Sequence, residues 1–217
     1  MKIEILVSML LLTSCGNDEE ILPIEAKVAG TAFSRPNLYQ CEGCEGAEER
    51  DRATLGWQTQ IGPGIDHGES LRIEGRILSA VDRRPVGGVV IYAYQTNSKG
   101  LYANGSRETE AARRHGRLRG WVVSGADGRY RFDTIKPAPY PDATLPAHVH
   151  FTVLELGRRP YWIDDVVFAG EFGVTDAYRQ SMVNQGGNGI VTLTRDSEGR
   201  WLARRDIILE THPEVAL

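Results

Sequence analysis

From Leu71 onward the chain breaks into short β-type runs, each closed by a turn signal, at the spacing of an all-β sandwich or barrel. The runs are 71–80, 86–96, 119–124, 129–135, 148–155, 162–168, 190–194 and 201–209. Arg129-Tyr130-Arg131-Phe132 alternates polar with aromatic, as a strand with one buried face does. Gly125-Ala126-Asp127-Gly128 precedes it as a hairpin turn, its Asp-Gly pair supplying positive φ. Asp196-Ser197-Glu198-Gly199 makes a similar turn near the C-terminus. Residues 70–217 are therefore expected to form a β-sandwich of mostly antiparallel strands. Residues 108–114 have room for two helical turns, and no longer helical period occurs. The 24 glycines and 10 prolines argue against an all-α bundle in the same way.

Residues 1–14 have another purpose. One lysine precedes an apolar run from Ile5 to Leu12, far short of the roughly 20 residues of a membrane-spanning helix. A basic start, a brief apolar stretch and small residues describe a secretory signal. Leu12-Thr13-Ser14-Cys15 resembles the lipobox of bacterial lipoproteins, which implies cleavage before Cys15 and lipid attachment there. The expectation is an exported protein held to a membrane only by that lipid, facing the periplasm or the cell surface. Residues 15–69 are polar and irregular, a tether plus an arm that packs on the sandwich without building its core.

Export decides how Cys41-Glu42-Gly43-Cys44 is read. No second Cys or Cys/His pair follows at zinc-finger spacing. In an oxidising compartment a local disulfide stapling the arm is the expected use. With 29 acidic and 25 basic residues the chain also lacks the concentrated positive charge of a nucleic-acid binder.

The chemistry centres on His148-Val149-His150. On a strand, residues i and i+2 share a face, so both imidazoles project together about 6–7 Å apart at their bases. They can converge on one metal ion. Just upstream, Pro137-Ala138-Pro139-Tyr140-Pro141 holds a tyrosine in a stiff, extended loop. Seven residues separate Tyr140 from His148, enough for the loop to return over the same face. A phenol suits a hard, highly charged ion, so two histidines plus a tyrosine point to ferric iron over zinc.

These residues carry a family resemblance. TIKPAPYP followed by PAHVHFTV resembles the signature of the intradiol ring-cleavage dioxygenases. The strand VVIYAYQ, the loop Gly100-Leu101-Tyr102 and the turn SGADGRYRF fall in that family's order. The resemblance spans roughly residues 70–194. It implies non-haem Fe(III) held by Tyr102, Tyr140, His148 and His150 on a β-sandwich. Tyr94 lies close enough in sequence to compete with Tyr102. The resemblance further implies a catechol-type substrate and O2, with Tyr140 leaving the iron to act as base.

Two positions depart from the family pattern. Leu145 stands where an arginine commonly precedes Pro-Ala-His, and Asp165 aligns with a glutamine. Loss of a cation and gain of a carboxylate disfavour acidic substrates, so a neutral catechol or larger phenolic is expected. Arg114 and Arg117, in the basic run before residue 119, are candidates to replace the missing cation.

A rival reading uses the same residues differently. GRILSAVDRRPVGGVVIYAY and ADGRYRFDTIKPAPY also resemble transthyretin-like or carboxypeptidase-regulatory sandwiches, non-catalytic modules that on a lipoprotein would bind a glycan or protein partner. Trp57, Trp121 and Trp201 are expected to pack, while Trp162 stands near the presumed site. Gly186-Gly187-Asn188-Gly189 precedes a strand, so it is read as a turn or bulge rather than a phosphate loop. His67 and His212 are expected to be exposed, and His115 is open between a supporting and a surface role. Oligomeric state is not legible.

Overall fold

A computed structural model describes residues 37–62, 67–105, 109–142 and 145–211. The signal segment, Cys15, the tether that follows it and His212 lie outside the described residues. Among the described residues eleven strands run in chain order: β1 (Gln58–Gln60), β2 (Ser70–Leu78), β3 (Val90–Gln95), β4 (Arg119–Val123), β5 (Arg129–Ile135), β6 (His148–Leu154), β7 (Tyr161–Phe168), β8 (Ile190–Val191), β9 (Thr194–Arg195), β10 (Trp201–Arg204) and β11 (Ile207–Ile208). Three short α-helices accompany them among the described residues, α1 (Cys44–Ala47), α2 (Glu110–His115) and α3 (Asp176–Ser181).

The strands form two sheets. One has the order β1-β5-β2-β10-β9, with β11 also on β2; the other is β4-β3-β6-β7-β8. The long ladders, β2–β5, β3–β4, β3–β6 and β6–β7, are antiparallel. Short parallel pairings, β1–β5, β10–β2, β11–β2 and β7–β8, extend them. Between the sheets lies one apolar layer that includes Ile73, Phe132, Ile91, Val122, Val149 and Phe151. Strand β5 alternates buried and part-exposed residues along its length, as its sequence pattern requires.

Several elements differ from the sequence expectation. The run 201–209 breaks at Arg205 and Asp206 into β10 and β11, and 190–194 divides into β8 and the start of β9. Gly75 explains the first break: a Cβ there would stand 1.8 Å from the Arg205 carbonyl oxygen, so the kink needs a bare backbone beside it. The arm does more than cover the sandwich. Its Gln58–Gln60 segment pairs with β5, and its Leu38 and Ile61 join the core. Cys41 and Cys44 form the expected disulfide.

The arm crosses the outer face of the second sheet at two glycines. A Cβ on Gly46 would lie 2.5 Å from the Tyr92 ring, and one on Gly43 would lie 2.9 Å from Tyr94. Trp121 donates its indole N–H to the Gly46 carbonyl at 2.8 Å, closing this contact. Trp121 is buried and Trp201 packs partly buried against the core, while Trp57 is half-buried beneath the Arg129 guanidinium. His67 is exposed, and Gly186 and Gly187, both at positive φ, make the turn before β8.

Candidate metal centre

Strand β6 presents His148 and His150 on one face and sends Val149, fully buried, into the core. Both imidazoles are oriented by their Nδ1 atoms. His148 Nδ1 lies 2.7 Å from the Pro146 carbonyl oxygen. His150 Nδ1 lies 3.0 Å from Asp165 Oδ1. Each of these oxygens accepts, so each Nδ1 donates its hydrogen and each Nε2 is left with a lone pair. Both Nε2 atoms face the same point, 3.0 Å apart.

Two loops bring the phenols there. The Tyr102 loop and the Tyr140 loop are clasped together: Thr96 Oγ1 donates to the Ala138 carbonyl at 2.8 Å, and Ala138 N donates to the Asn97 carbonyl at 3.1 Å. Gly100 makes the contact possible. At φ +76° its hydrogen faces the Pro139 carbonyl oxygen, where a Cβ would stand 2.0 Å away. On the other flank Arg117 N donates to the Ala103 carbonyl at 2.9 Å.

The result is a closed ring of four donor atoms. Tyr102 Oη is 2.8 Å from Tyr140 Oη, Tyr140 Oη is 3.2 Å from His148 Nε2, and His150 Nε2 is 2.8 Å from Tyr102 Oη. The 3.0 Å between the imidazoles closes it. The centre of a square with such edges lies about 2.1 Å from each corner, the length of a metal bond to nitrogen or oxygen. Two imidazole lone pairs 3.0 Å apart repel unless a proton or a cation lies between them. The donor set thus fits a hard cation, with two phenols that become anionic ligands and two neutral imidazoles.

Asp165 stands within 4.8 Å of both histidines' ligand atoms and could be counted in a three-residue metal site. Its contact decides otherwise. It meets His150 at Nδ1, across the imidazole from the Nε2 that enters the ring, so it orients a ligand instead of adding one. A bulge puts it there. Val149 pairs with Val166 and Phe151 with Ile163, which leaves Asp164 and Asp165 both opposite His150.

The charges follow from this geometry. Burial raises the phenol of Tyr102, helped by the neighbouring Tyr140 hydroxyl, and burial also raises Tyr140. Burial and the charge of His150 hold His148 low. Burial would lower His150 and raise Asp165, but their mutual attraction and hydrogen bond outweigh it, so His150 rises and Asp165 falls. Arg205, 2% exposed at the break between β10 and β11, adds its field to Asp165.

Of the expected site residues, Tyr102, Tyr140, His148 and His150 meet at one point. Tyr94 stacks on His150 at 4.4 Å between ring centroids, and its hydroxyl lies near Gly43, off the ring. Arg114 is turned away from the ring. Arg114 pairs with Glu45, and Arg117 lines a separate hollow with Arg50 and Arg119. Trp162 ties the arm by donating to the Asn37 carbonyl at 3.1 Å. Arg205 carries no signal in the sequence, since no local pattern marks a cation buried by a strand break.

Comparison with known proteins gives the family and the fold. The family model described as Dioxygenase matches residues 46–199. The chain belongs to the intradiol dioxygenase family. Among relatives of this family, catechol 1,2-dioxygenase 1 of Acinetobacter lwoffii is 36% identical over 109 residues, 43% of this chain and 34% of that protein. The protocatechuate 3,4-dioxygenase beta chain of Burkholderia cepacia is 34% identical over 92 residues, 40% of this chain and 39% of its own length. These alignments therefore span well under half of either relative. The fold matches the catechol 1,2-dioxygenase of Acinetobacter radioresistens with TM-score 0.54 at 18% identity, over 76% of this chain and 61% of that one. It also matches an intradiol ring-cleavage dioxygenase from Tetranychus urticae with TM-score 0.53 at 19% identity, over 74% and 87% of the two chains.

Proposed function

We propose that this intradiol dioxygenase holds one non-haem ferric ion with Tyr102, Tyr140, His148 and His150. With O2 it would cleave a catechol-type ring between the two hydroxyl-bearing carbons, giving a muconate-type dicarboxylic acid. The observation that carries the reading is the closed ring of two phenols and two imidazole Nε2 atoms, with edges of 2.8–3.2 Å. This set favours catalysis over the rival non-catalytic module, which has no use for four converging donors.

Bound iron would supply Lewis acidity, drawing electron density from a chelated catecholate so that a ring carbon becomes open to O2. The chain's own groups do the rest. Tyr140, on the proline-stiffened loop, would be held as phenolate by a bound ferric ion and would then take up a proton from a catechol hydroxyl at its Oη. The Pro146 carbonyl and Asp165 keep the Nδ1 hydrogens of His148 and His150, so neither imidazole turns away when the substrate enters. Tyr102, clasped through Gly100 and packed near Tyr94, keeps its place. Leu145, half-exposed, offers no charge to an acidic substituent, which supports a neutral catechol or larger phenolic as substrate.

The test is an anaerobic titration of the iron-loaded protein with catechol, following the tyrosinate charge-transfer band, then admission of oxygen. The expected result is a band shift followed by muconate-type product. A protein that stays colourless with iron, or a shift that yields no product, would overturn the reading. We also propose that the protein is exported and anchored through lipid on Cys15. Metabolic labelling with a fatty acid should mark the wild type and leave Cys15→Ala unlabelled; equal labelling of both would refute the anchor.

A further inference from the structure

Beside the donor ring, the outer face of the second sheet carries aromatic side chains that ring cleavage does not use. Their rings touch in series. His150 stacks on Tyr94 at 4.4 Å, Tyr94 on Tyr92 at 5.5 Å and Tyr92 on Trp121 at 4.9 Å between centroids. Cross-strand pairing places them, since Tyr94 stands opposite His150 and Tyr92 opposite Trp121. Tyr92 is 0% exposed and Tyr94 3%, under the arm at Gly46 and Gly43.

The hydrogen bonding of Tyr92 is directional. His115, at the end of α2, has Nε2 3.1 Å from the Glu42 carbonyl oxygen, which only accepts, so Nε2 carries the hydrogen. Nδ1 is then an acceptor, and the Tyr92 hydroxyl 2.7 Å away donates to it. Burial holds the phenol far above its usual range despite Arg119 beside it, and burial holds His115 low. The pair is a neutral phenol aimed at a neutral base. A buried phenol gives up an electron with difficulty when its proton has nowhere to go, because the cation radical left behind is an uncompensated charge in an apolar core. A base already bonded to the hydroxyl removes that obstacle.

We propose that Tyr92 is a redox-active tyrosine with His115 as its proton acceptor, linked through Tyr94 and His150 to the donor ring. It draws off oxidising equivalents that would otherwise damage the ligands. The proposal rests on iron binding at the ring, and its oxidant is the one-electron oxidant formed when hydrogen peroxide reacts with that iron. Tyr92 loses one electron, which passes through Tyr94 and His150 and reduces the oxidant by one unit. The phenolic proton moves to His115 Nδ1, leaving a neutral tyrosyl radical and an imidazolium. A catechol restores the pair by giving one electron and releasing one proton, while the proton on His115 returns to Tyr92. The hole stops at Tyr92. Arg50 and Arg119 lie 5.3 and 5.0 Å from the Trp121 ring centroid and disfavour a cation on it.

The test treats the iron-loaded full-length protein with hydrogen peroxide and freezes it for electron paramagnetic resonance. A tyrosyl signal is expected in the wild type and its loss in Tyr92→Phe, which keeps the ring and the packing. Peptide mass spectrometry should then find more oxidised His150 and Tyr102 in that variant, with catechol cleavage unchanged. An unaltered signal in Tyr92→Phe, or no signal from iron-loaded wild type, overturns the proposal. Flash oxidation of the metal-free protein by a ruthenium sensitiser separates this failure from failure of iron binding. It should give a long-lived tyrosyl radical that Tyr92→Phe loses, and equal yields in both proteins would overturn the pair.

Discussion

The Asp165 carboxylate receives the Nδ1 hydrogen of His150 at 3.0 Å, and a bulge that sets two residues of β7 against one of β6 is what aims it there. A carboxylate behind a histidine fixes its tautomer and makes the opposite nitrogen a better donor. Asp165→Ala should therefore weaken iron binding by about 10- to 100-fold. Asp165→Gln, which keeps an acceptor, should lie between Ala and wild type. Competition against a coloured chelator measures both affinities; equal affinity in all three proteins would remove Asp165 from the site.

The two phenols should differ in effect. Tyr102 is covered by Tyr94 and its loop is clasped on both flanks, whereas Tyr140 stands on the proline loop with its ring edge against His148. Tyr140→Phe is expected to keep iron and part of the visible band but lose most turnover, since no group is left to take the substrate proton. Tyr102→Phe is expected to lose iron itself. Iron content by mass spectrometry, read beside the visible spectrum, separates the two outcomes. Full turnover in Tyr140→Phe would exclude its role as base.

What the sequence made legible was whatever local pattern determines. The alternation in residues 129–135 and the Asp-Gly turn before them place β5 to the residue. The spacing of His148 and His150 puts both on one face, and the prolines around Tyr140 announce a stiff loop. What stayed hidden depends on partners distant in the chain. Gln58–Gln60 has no apolar signal, and it is a strand only because β5 offers an edge. The bulge at Asp164 and Asp165 is a property of register between two strands. Arg114 looked available from its basic neighbours, but Glu45 of the arm takes it up.

Gly100 gives a test of the clasp between the tyrosine loops. A side chain there would adopt positive φ, at a cost of roughly 1–2 kcal/mol, and its Cβ would stand 2.0 Å from the Pro139 carbonyl. Gly100→Ala should part the loops, lower the thermal midpoint by a few degrees and abolish iron colour, while far-ultraviolet circular dichroism still reports the sandwich. Retention of full colour would mean that the loops hold the phenols without this contact.

The acid limit of stability should bear the mark of His115. Burial lowers its pKa, and the charges of Arg114 and Arg119 act in the same direction. The Glu42 carbonyl and Glu45, whose carboxylate lies 4.0 Å from Nε2, oppose them without prevailing. The folded protein therefore binds fewer protons here than the unfolded chain between the lowered value and the ordinary 6.5. Unfolding takes protons up in that window, so His115's contribution is complete above 6.5 and is lost as pH falls below it. Denaturant midpoints taken from pH 8 to pH 5 should decline in the acid half of the range. His115→Gln, uncharged throughout, should flatten that decline even where its overall stability is lower. An identical pH slope in the variant would assign the acid sensitivity to other groups.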